Sequence, residues 1–537
     1  MKFPNIFTPT LLIILLLSII GSLAIYFSTS WGPWAYSDST EYIDSARNLL
    51  AGRGLGHSAP SGSLVPLTLH PPFYPLVLSA MELLGFNLIE AARWLNIILF
   101  GATIFLSGSF TYALFHSSWL ALSLSAAILT LPPLVDVSSG AMSELLFFFT
   151  ATLGLCLLII YLDLRKRYLL VLSSIAAGLA FLSRYPGAVV IVTCIIGILV
   201  AGRISWKQRL HELLEFSIIS IIPSAIWLIW IYFQTKTLVA RDYHFTLDIW
   251  SNTIDLRKRM MEVFWSWLPF HSRLPSYSYN LARNVLIFLI VMIFLLVSLI
   301  VVKKVIFRKS THTSPQEFTF AFLWLIFIIG NISLLATSFL FTSPLPDLNT
   351  RTLLPVQFGL GFALLALFAS FINEFRLSPA VGWACAVLAL IFTLPNARTS
   401  WKIISQYHIN GGGYTSQTWH CSLTLQALTK LPLNTPIITN ESAAVLLLTE
   451  RPAYDFCTLP CNQPDQPIYG DNPLDPVQKV FREDGAALVF FYPYCGAQVE
   501  PWYANTLTEL KSVTQNLTQY FSSCDGVIYY YPLAQQN

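Results

Sequence analysis

The sequence predicts an α-helical polytopic membrane protein of about 11 transmembrane helices. It also predicts interfacial helices in the first outer loop and a small C-terminal α/β domain outside the membrane. Three observations carry this expectation. Hydrophobic residues make up 55% of the 537 and charged residues 11%, against about 25% charged in an average soluble domain. Apolar runs approaching the roughly 20 residues of a membrane-spanning helix recur from Leu11 to Leu394. Beyond about residue 397 the chain turns polar, with short apolar runs separated by Pro, Asn and Gly. A net charge of +3 and no Lys/Arg-rich tail leave little to grip a nucleic acid.

The run from Leu11 to about Phe27 is longer than the roughly 7 to 15 apolar residues of a signal peptide, so it reads as an uncleaved first span. Further apolar stretches fall near 93–115, 119–135, 141–161, 168–183, 187–202, 214–233, 283–302, 318–340, 353–372 and 379–395. Clustered Lys and Arg in the short loops Asp163–Arg167, Arg203–Arg209 and Lys303–Lys309 mark those loops as cytoplasmic. Counting outward from them places Asp38, Glu144, Arg184, Arg351 and everything after Leu394 on the outer side of the plasma membrane. That parity requires Pro72–Leu84, too short to span, to lie along the interface. The expected organisation is a membrane domain over 1–396, with its first outer loop at 29–92, and an extracytoplasmic domain over 397–537.

In the C-terminal domain the strand candidates are Pro436–Thr439, Ala486–Tyr492 and Gly526–Tyr531. The helix candidates are Ser422–Thr429, Ser442–Thr449 and Pro476–Glu483. Cys156, Cys194 and Cys385 lie in apolar spans and read as small hydrophobes. Cys421, Cys457, Cys461, Cys495 and Cys524 all fall in the C-terminal domain, where an oxidising compartment permits disulfides whose pairing the sequence leaves open. Zinc is the alternative for Cys457 and Cys461 with His420 and Cys421, but a second tight pair is missing.

The most informative segment is Ser37–Leu55, a polar, charged, helix-patterned run directly after the first span. Asp38 there is either a helix N-cap, beside Ser37, Ser39 and Thr40, or a functional carboxylate at the membrane surface. Asp44 reads as a surface acid. Glu144 stands at the head of a span, where an interfacial acid is common. Arg184 and Arg351 either snorkel to headgroups or meet a substrate anion. Trp31, Trp34, Tyr36 and Tyr42 read first as interfacial belt anchors and second as a substrate platform.

The order of a span, then Asp38, Tyr42, Ala46–Arg47, Leu50 and Gly54, then His70–Pro71–Pro72 and Tyr74–Pro75, resembles the first outer loop of the GT-C superfamily of membrane glycosyltransferases. The likeness is greatest to the branch of bacterial aminoarabinose transferases and protein O-mannosyltransferases. It extends through Glu144, the run Leu182–Gly187 and the run Arg351–Pro355. The resemblance implies an enzyme that moves a sugar, with inversion, from a polyprenyl-phosphate carrier to a lipid, glycan or protein acceptor at the outer face. It implies Asp38 as general base, with Glu144 as a second catalytic acid residue and Tyr42, His70, Arg184 and Arg351 as substrate-binding groups. His70 would meet the lipid phosphate only while protonated. No cofactor is implied beyond the lipid-linked donor. Leu69 and His70 stand where the aminoarabinose transferases carry an acid and a Lys before the Pro-Pro pair, so the sugar is left open. A multi-pass transporter or flippase of a lipid or glycan, and a scaffold displaying the C-terminal domain, are the alternatives.

Overall fold

In the computed structural model, which describes residues 8–201, 205–236, 244–245, 249–267, 315–343, 345–374, 379–455, 486–492 and 518–531, long apolar helices carry a cluster of short polar elements at one end. α1 (Pro9–Ser28) begins where the Thr8 hydroxyl accepts the Leu11 N–H and Pro9 takes the first helical position. A loop leads into α2 (Ser37–Leu50), followed by the hairpin β1 (Gly56–Ser58) and β2 (Leu64–Pro66) and by α3 (Phe73–Leu83). At 11 residues α3 is only about 16 Å long, and it packs on α2 and on α4 (Leu88–Phe115). Close approach of α1 and α4 uses small residues: the hydroxyls of Ser18 and Ser22 donate to the carbonyls of Gly101 and Ile97 at 2.6 and 2.9 Å.

The apolar run expected as one span over 119–135 is instead two helices, α5 (Ser118–Leu129) and α6 (Pro132–Ser138), bent by 57°. Pro132 and Pro133 cannot supply the N–H groups a continuous helix needs, which is why the helix breaks there. α7 (Glu144–Leu164), α8 (Arg167–Ser183), α9 (Gly187–Ala201) and α10 (Trp206–Thr235) follow. Ser173 of α8 donates to the Gly154 carbonyl of α7 at 2.8 Å, another small-residue contact. After β3 (His244–Phe245) and α11 (Ile249–Ser266) come α12 (Pro315–Phe341), β4 (Thr342–Ser343) and α13 (Leu354–Glu374). Trp324 of α12 stacks on Phe362 of α13 with centroids 4.0 Å apart.

Among the described residues five helices, α1, α4, α7, α10 and α12, are long and apolar enough to cross a membrane, and the bent α5–α6 pair makes a sixth. The apolar helices α8, α9 and α13 are shorter. The chain is a multi-pass membrane protein, but the expected count of about 11 is not reached in this set. The expected span 283–302 and the basic loop after it lie outside the described residues.

α14 (Pro379–Asn410) runs unbroken through residue 397, so the polar domain is joined to the helices by a continuous rod. The chain then turns at Gly411 and Gly413, whose φ values of +67° and +55° suit glycine. Beyond the turn lie α15 (Gln417–His420), α16 (Leu423–Leu428), β5 (Ile437–Thr439), α17 (Ser442–Thr449), β6 (Tyr454–Asp455), β7 (Ala486–Phe491), β8 (Thr518–Ser523) and β9 (Gly526–Tyr531). They form a five-stranded sheet in the order β6-β5-β7-β9-β8, parallel among the first three and antiparallel through β9 and β8. Leu428, Ile437, Val445, Val489 and Ile528 make its core. The helix expected at Pro476–Glu483, and Cys457, Cys461 and Cys495, lie outside the described residues. Cys524 is disulfide-bonded and Cys421 is a free, exposed thiol.

Candidate active site

α2 is the base of the site. Its N-cap is Tyr36, whose N–H donates to the Ser39 hydroxyl at 3.3 Å. With Ser39 closing that first turn, the Asp38 side chain is not used as a cap and turns to the helix bundle. Asp44 is not a surface acid. It is buried, accepting the Ser58 N–H at 2.6 Å and the Asn48 amide at 3.1 Å, and so fastens the hairpin β1–β2 to α2.

Asp38, Tyr42, His70, Glu144, Arg184 and Arg351, chosen from four separate stretches of sequence, all converge at the polar end of the helices. Arg351, just before α13, donates from Nη2 to Asp38 Oδ2 at 2.9 Å and from Nε to Glu144 Oε1. Arg184, capping α8, reaches the same Glu144 oxygen at 2.8 Å. Glu144, with a side chain only 4% exposed, opens α7 and is held between two guanidinium groups. Its second oxygen is buried and has no hydrogen-bond partner among the described residues. Tyr42 and Arg184 meet at the Ser143 hydroxyl, at 2.9 and 3.3 Å.

His70 sits on the Tyr42 ring at 4.7 Å, and its loop is fixed where Tyr185 donates to the Thr68 carbonyl at 2.9 Å. Its Nε2 faces Asp38 and Glu41 at 3.8 and 3.7 Å. The resemblance gives His70 a phosphate contact only while protonated, a state that its burial disfavours. Burial pushes its imidazole down to about 4, more than Asp38 can restore. Burial also acts to raise the Asp38 carboxyl, but opposing charge from His70 and Arg351 brings it below its ordinary value. With His70 neutral near pH 7, the charges that oppose burial at Asp38 there are those of Arg351, which also bonds to it, and Arg184.

Glu41 and Ser143 escaped the reading of the sequence. Each left a signal: Glu41 is one helical turn from Asp38, and Ser143 directly precedes Glu144 at the head of its helix. Trp34 is buried and Trp31 is half-buried against protein. Their indole N–H groups donate to the carbonyls of Ile409 at 3.1 Å and Asp136 at 2.8 Å, tying the first loop to α14 and α6. Among the described residues no group of three or more His, Cys, Asp or Glu could hold a metal ion.

A helical bundle that carries a polar hairpin loop and a small sheet domain at one end is a fold shared with solved structures. The chain is similar to ArnT from Cupriavidus metallidurans in the apo state, with a TM-score of 0.56 at 13% identity over 96% of this chain and 97% of that one. The same protein bound to undecaprenyl phosphate matches with a TM-score of 0.55 at 13% identity, over the same 96% and 97%. The Archaeoglobus fulgidus oligosaccharyltransferase in complex with Zn and sulfate matches with a TM-score of 0.52 at 14% identity, over 96% of this chain and 73% of that one. No protein-family model and no curated protein matches the sequence.

Proposed function

We propose that the protein is an inverting glycosyltransferase that takes a sugar from a polyprenyl-phosphate carrier at the outer face of the membrane. The observation that carries this reading is the pairing of Arg351 with Asp38 and Glu144, with Arg184 beside them, at the membrane surface. In such a transfer the acceptor hydroxyl oxygen forms a bond to the anomeric carbon while the bond to the lipid phosphate breaks. Asp38 takes the hydroxyl proton, and the departing phosphate keeps the bonding electron pair. Arg351 and Arg184 are the groups suited to meet that phosphate, each able to offer paired N–H donors. Glu144 orients both arginines, His70 lines the carbohydrate side, and buried Tyr42 supports His70 from behind. The solved ArnT structure with undecaprenyl phosphate supports a lipid phosphate as the donor's leaving group.

The test is transfer of radiolabelled sugar from undecaprenyl-phosphate donors by the purified full-length protein in lipid nanodiscs. Asp38→Asn should lower turnover by about a hundredfold or more while leaving donor affinity in place, as expected for loss of a general base. Arg351→Ala should reduce both. Wild-type turnover in Asp38→Asn, or no sugar release from any lipid-linked donor, would sink the reading.

A further inference from the structure

An aromatic and acidic patch adjoins the start of α2. Tyr36, two residues before Asp38, is 53% exposed. Its ring rests on buried Trp34 at 5.5 Å and meets Tyr414 of the C-terminal domain at 5.9 Å. The chain of rings continues to Trp419 at 5.7 Å and Phe491 at 5.0 Å. The two walls are locked together, since the Tyr414 N–H donates to the Ala35 carbonyl at 2.8 Å and the Thr415 hydroxyl to Pro33 at 2.8 Å.

Polar groups rim these rings. The Tyr407 hydroxyl donates to Asp136 Oδ1 at 2.7 Å, and the Tyr414 hydroxyl lies close enough to Glu441 for the two to interact electrostatically. Tyr36 lies within electrostatic reach of both tyrosines, and Asp455 lies within reach of Glu441. Lipid belt anchors would not be accompanied by three carboxylates, and those carboxylates repel a phosphate. A ring face edged with carboxylate and hydroxyl groups matches a sugar, which has one apolar C–H face and a rim of hydroxyls that both donate and accept.

We infer that Tyr36, Tyr414 and Trp419, with Glu441 and Asp136, form the acceptor subsite, and that the acceptor is a carbohydrate whose ring lies against Tyr36 with a hydroxyl directed to Asp38. This rests on the glycosyl-transfer reading and adds the class of acceptor to it. The arginine side takes the lipid phosphate, and the exposed Tyr36 ring, at the N-terminus of the helix that carries Asp38, offers a separate approach for the acceptor.

The experiment is saturation-transfer NMR on the full-length protein in nanodiscs of deuterated lipid, with chitopentaose, cellopentaose and mannopentaose as probes and a serine-rich decapeptide as comparison. At least one saccharide should receive saturation on its ring C–H protons, and the peptide should not. Tyr36→Ala and Tyr414→Ala should each weaken that binding by about tenfold. Tyr414→Phe, which keeps the ring, should retain most of it, and Glu441→Gln reports the rim without removing a ring. Undecaprenyl-phosphate binding should be unchanged in all four variants. The inference is overturned if none of the three saccharides binds at millimolar concentration, if the peptide binds in their place, or if the two alanine variants bind saccharide like wild type. Because the readout needs no turnover, failure of sugar transfer counts against the proposed reaction and not against this site.

Discussion

Arg351 spans two carboxylates from different helices, and each of its partners depends on it differently. Glu144 keeps Arg184 when Arg351 is removed, whereas Asp38 is left with a neutral imidazole and the charge of Arg184 to set against burial. The Asp38 carboxyl is depressed in the folded protein, so it stabilises the fold above its ordinary titration range, and that contribution fades as pH falls through the lowered value. In Arg351→Ala, burial acts on Asp38 without its main opposing charge, and the acid limb of the pH–rate profile should move to higher pH. An unmoved limb would show that another group sets the Asp38 charge. Arg351→Lys should recover only part of the activity, because an ammonium group cannot donate in the same fork to both carboxylates. His70 acts in the same direction, at higher pH. Its folded-state value of about 4 lies below that of an unfolded histidine, so stability is lost as pH falls from about 6.5 toward 4. Being neutral at both pH 6 and pH 8, it should give the same relative loss of turnover at the two values in His70→Ala. A loss confined to pH 6 would mean that the imidazole is charged in the working enzyme.

At the scale of elements, α2 joins the membrane helices to the C-terminal domain. The Arg47 guanidinium donates to the last-turn carbonyls of α17, Leu446 and Leu447, at 3.4 and 3.1 Å, and pairs with Glu450 at 3.4 Å. Thr40 adds a bond to the Ala443 carbonyl at 3.2 Å. A cation at a helix C-terminus is favoured by the helix dipole as well as by these bonds. Arg47→Ala should therefore loosen the docking by about 1–3 kcal/mol, read as faster amide hydrogen exchange in both α2 and α17. Exchange that rises in α17 alone would mean that Arg47 caps that helix without holding the domain on α2. The Asx-type fastening of the hairpin by Asp44 and Asn48 was not legible in the sequence, where Asp44 looked like one more charge on a solvated face. Its role depends on Ser58 returning to it from 14 residues away.

Across the whole molecule the charges divide between two ends. Asp38, Glu144, Arg184 and Arg351 occupy one end, while the pairs Arg165–Glu212 and Arg167–Glu215 lie at the far end of α7 and α8. The 21 residues of α7 make that separation about 32 Å, the thickness of a bilayer core. Cysteines introduced at Ser61 and Lys166 should then be labelled by a membrane-impermeant reagent from opposite sides, Ser61 from outside and Lys166 only after the membrane is opened. Labelling of both from outside would overturn the topology inferred from the basic loops.

The sequence by itself determined the membrane class, most of the helices, the strands Ala486–Phe491 and Gly526–Tyr531 and the identity of six polar residues that meet at one site. These were readable because a bilayer excludes unpaired charge, so each ionisable residue at the head of an apolar run stands out against its surroundings. Three things were decided only by the tertiary structure. Whether Asp38 capped its helix or faced a partner was settled by Ser39 closing the first turn of α2 and by Arg351, 313 residues away, arriving beside it. The charge of His70 was set by how deeply its loop packs on Tyr42, a burial that no local pattern encodes. The surroundings of Tyr36 were set by docking of the segment after α14, which brings Tyr414 against its exposed ring. Spacing along the chain reports which side chains are costly to leave alone, and the long-range packing of the chain chooses the partners that offset that cost.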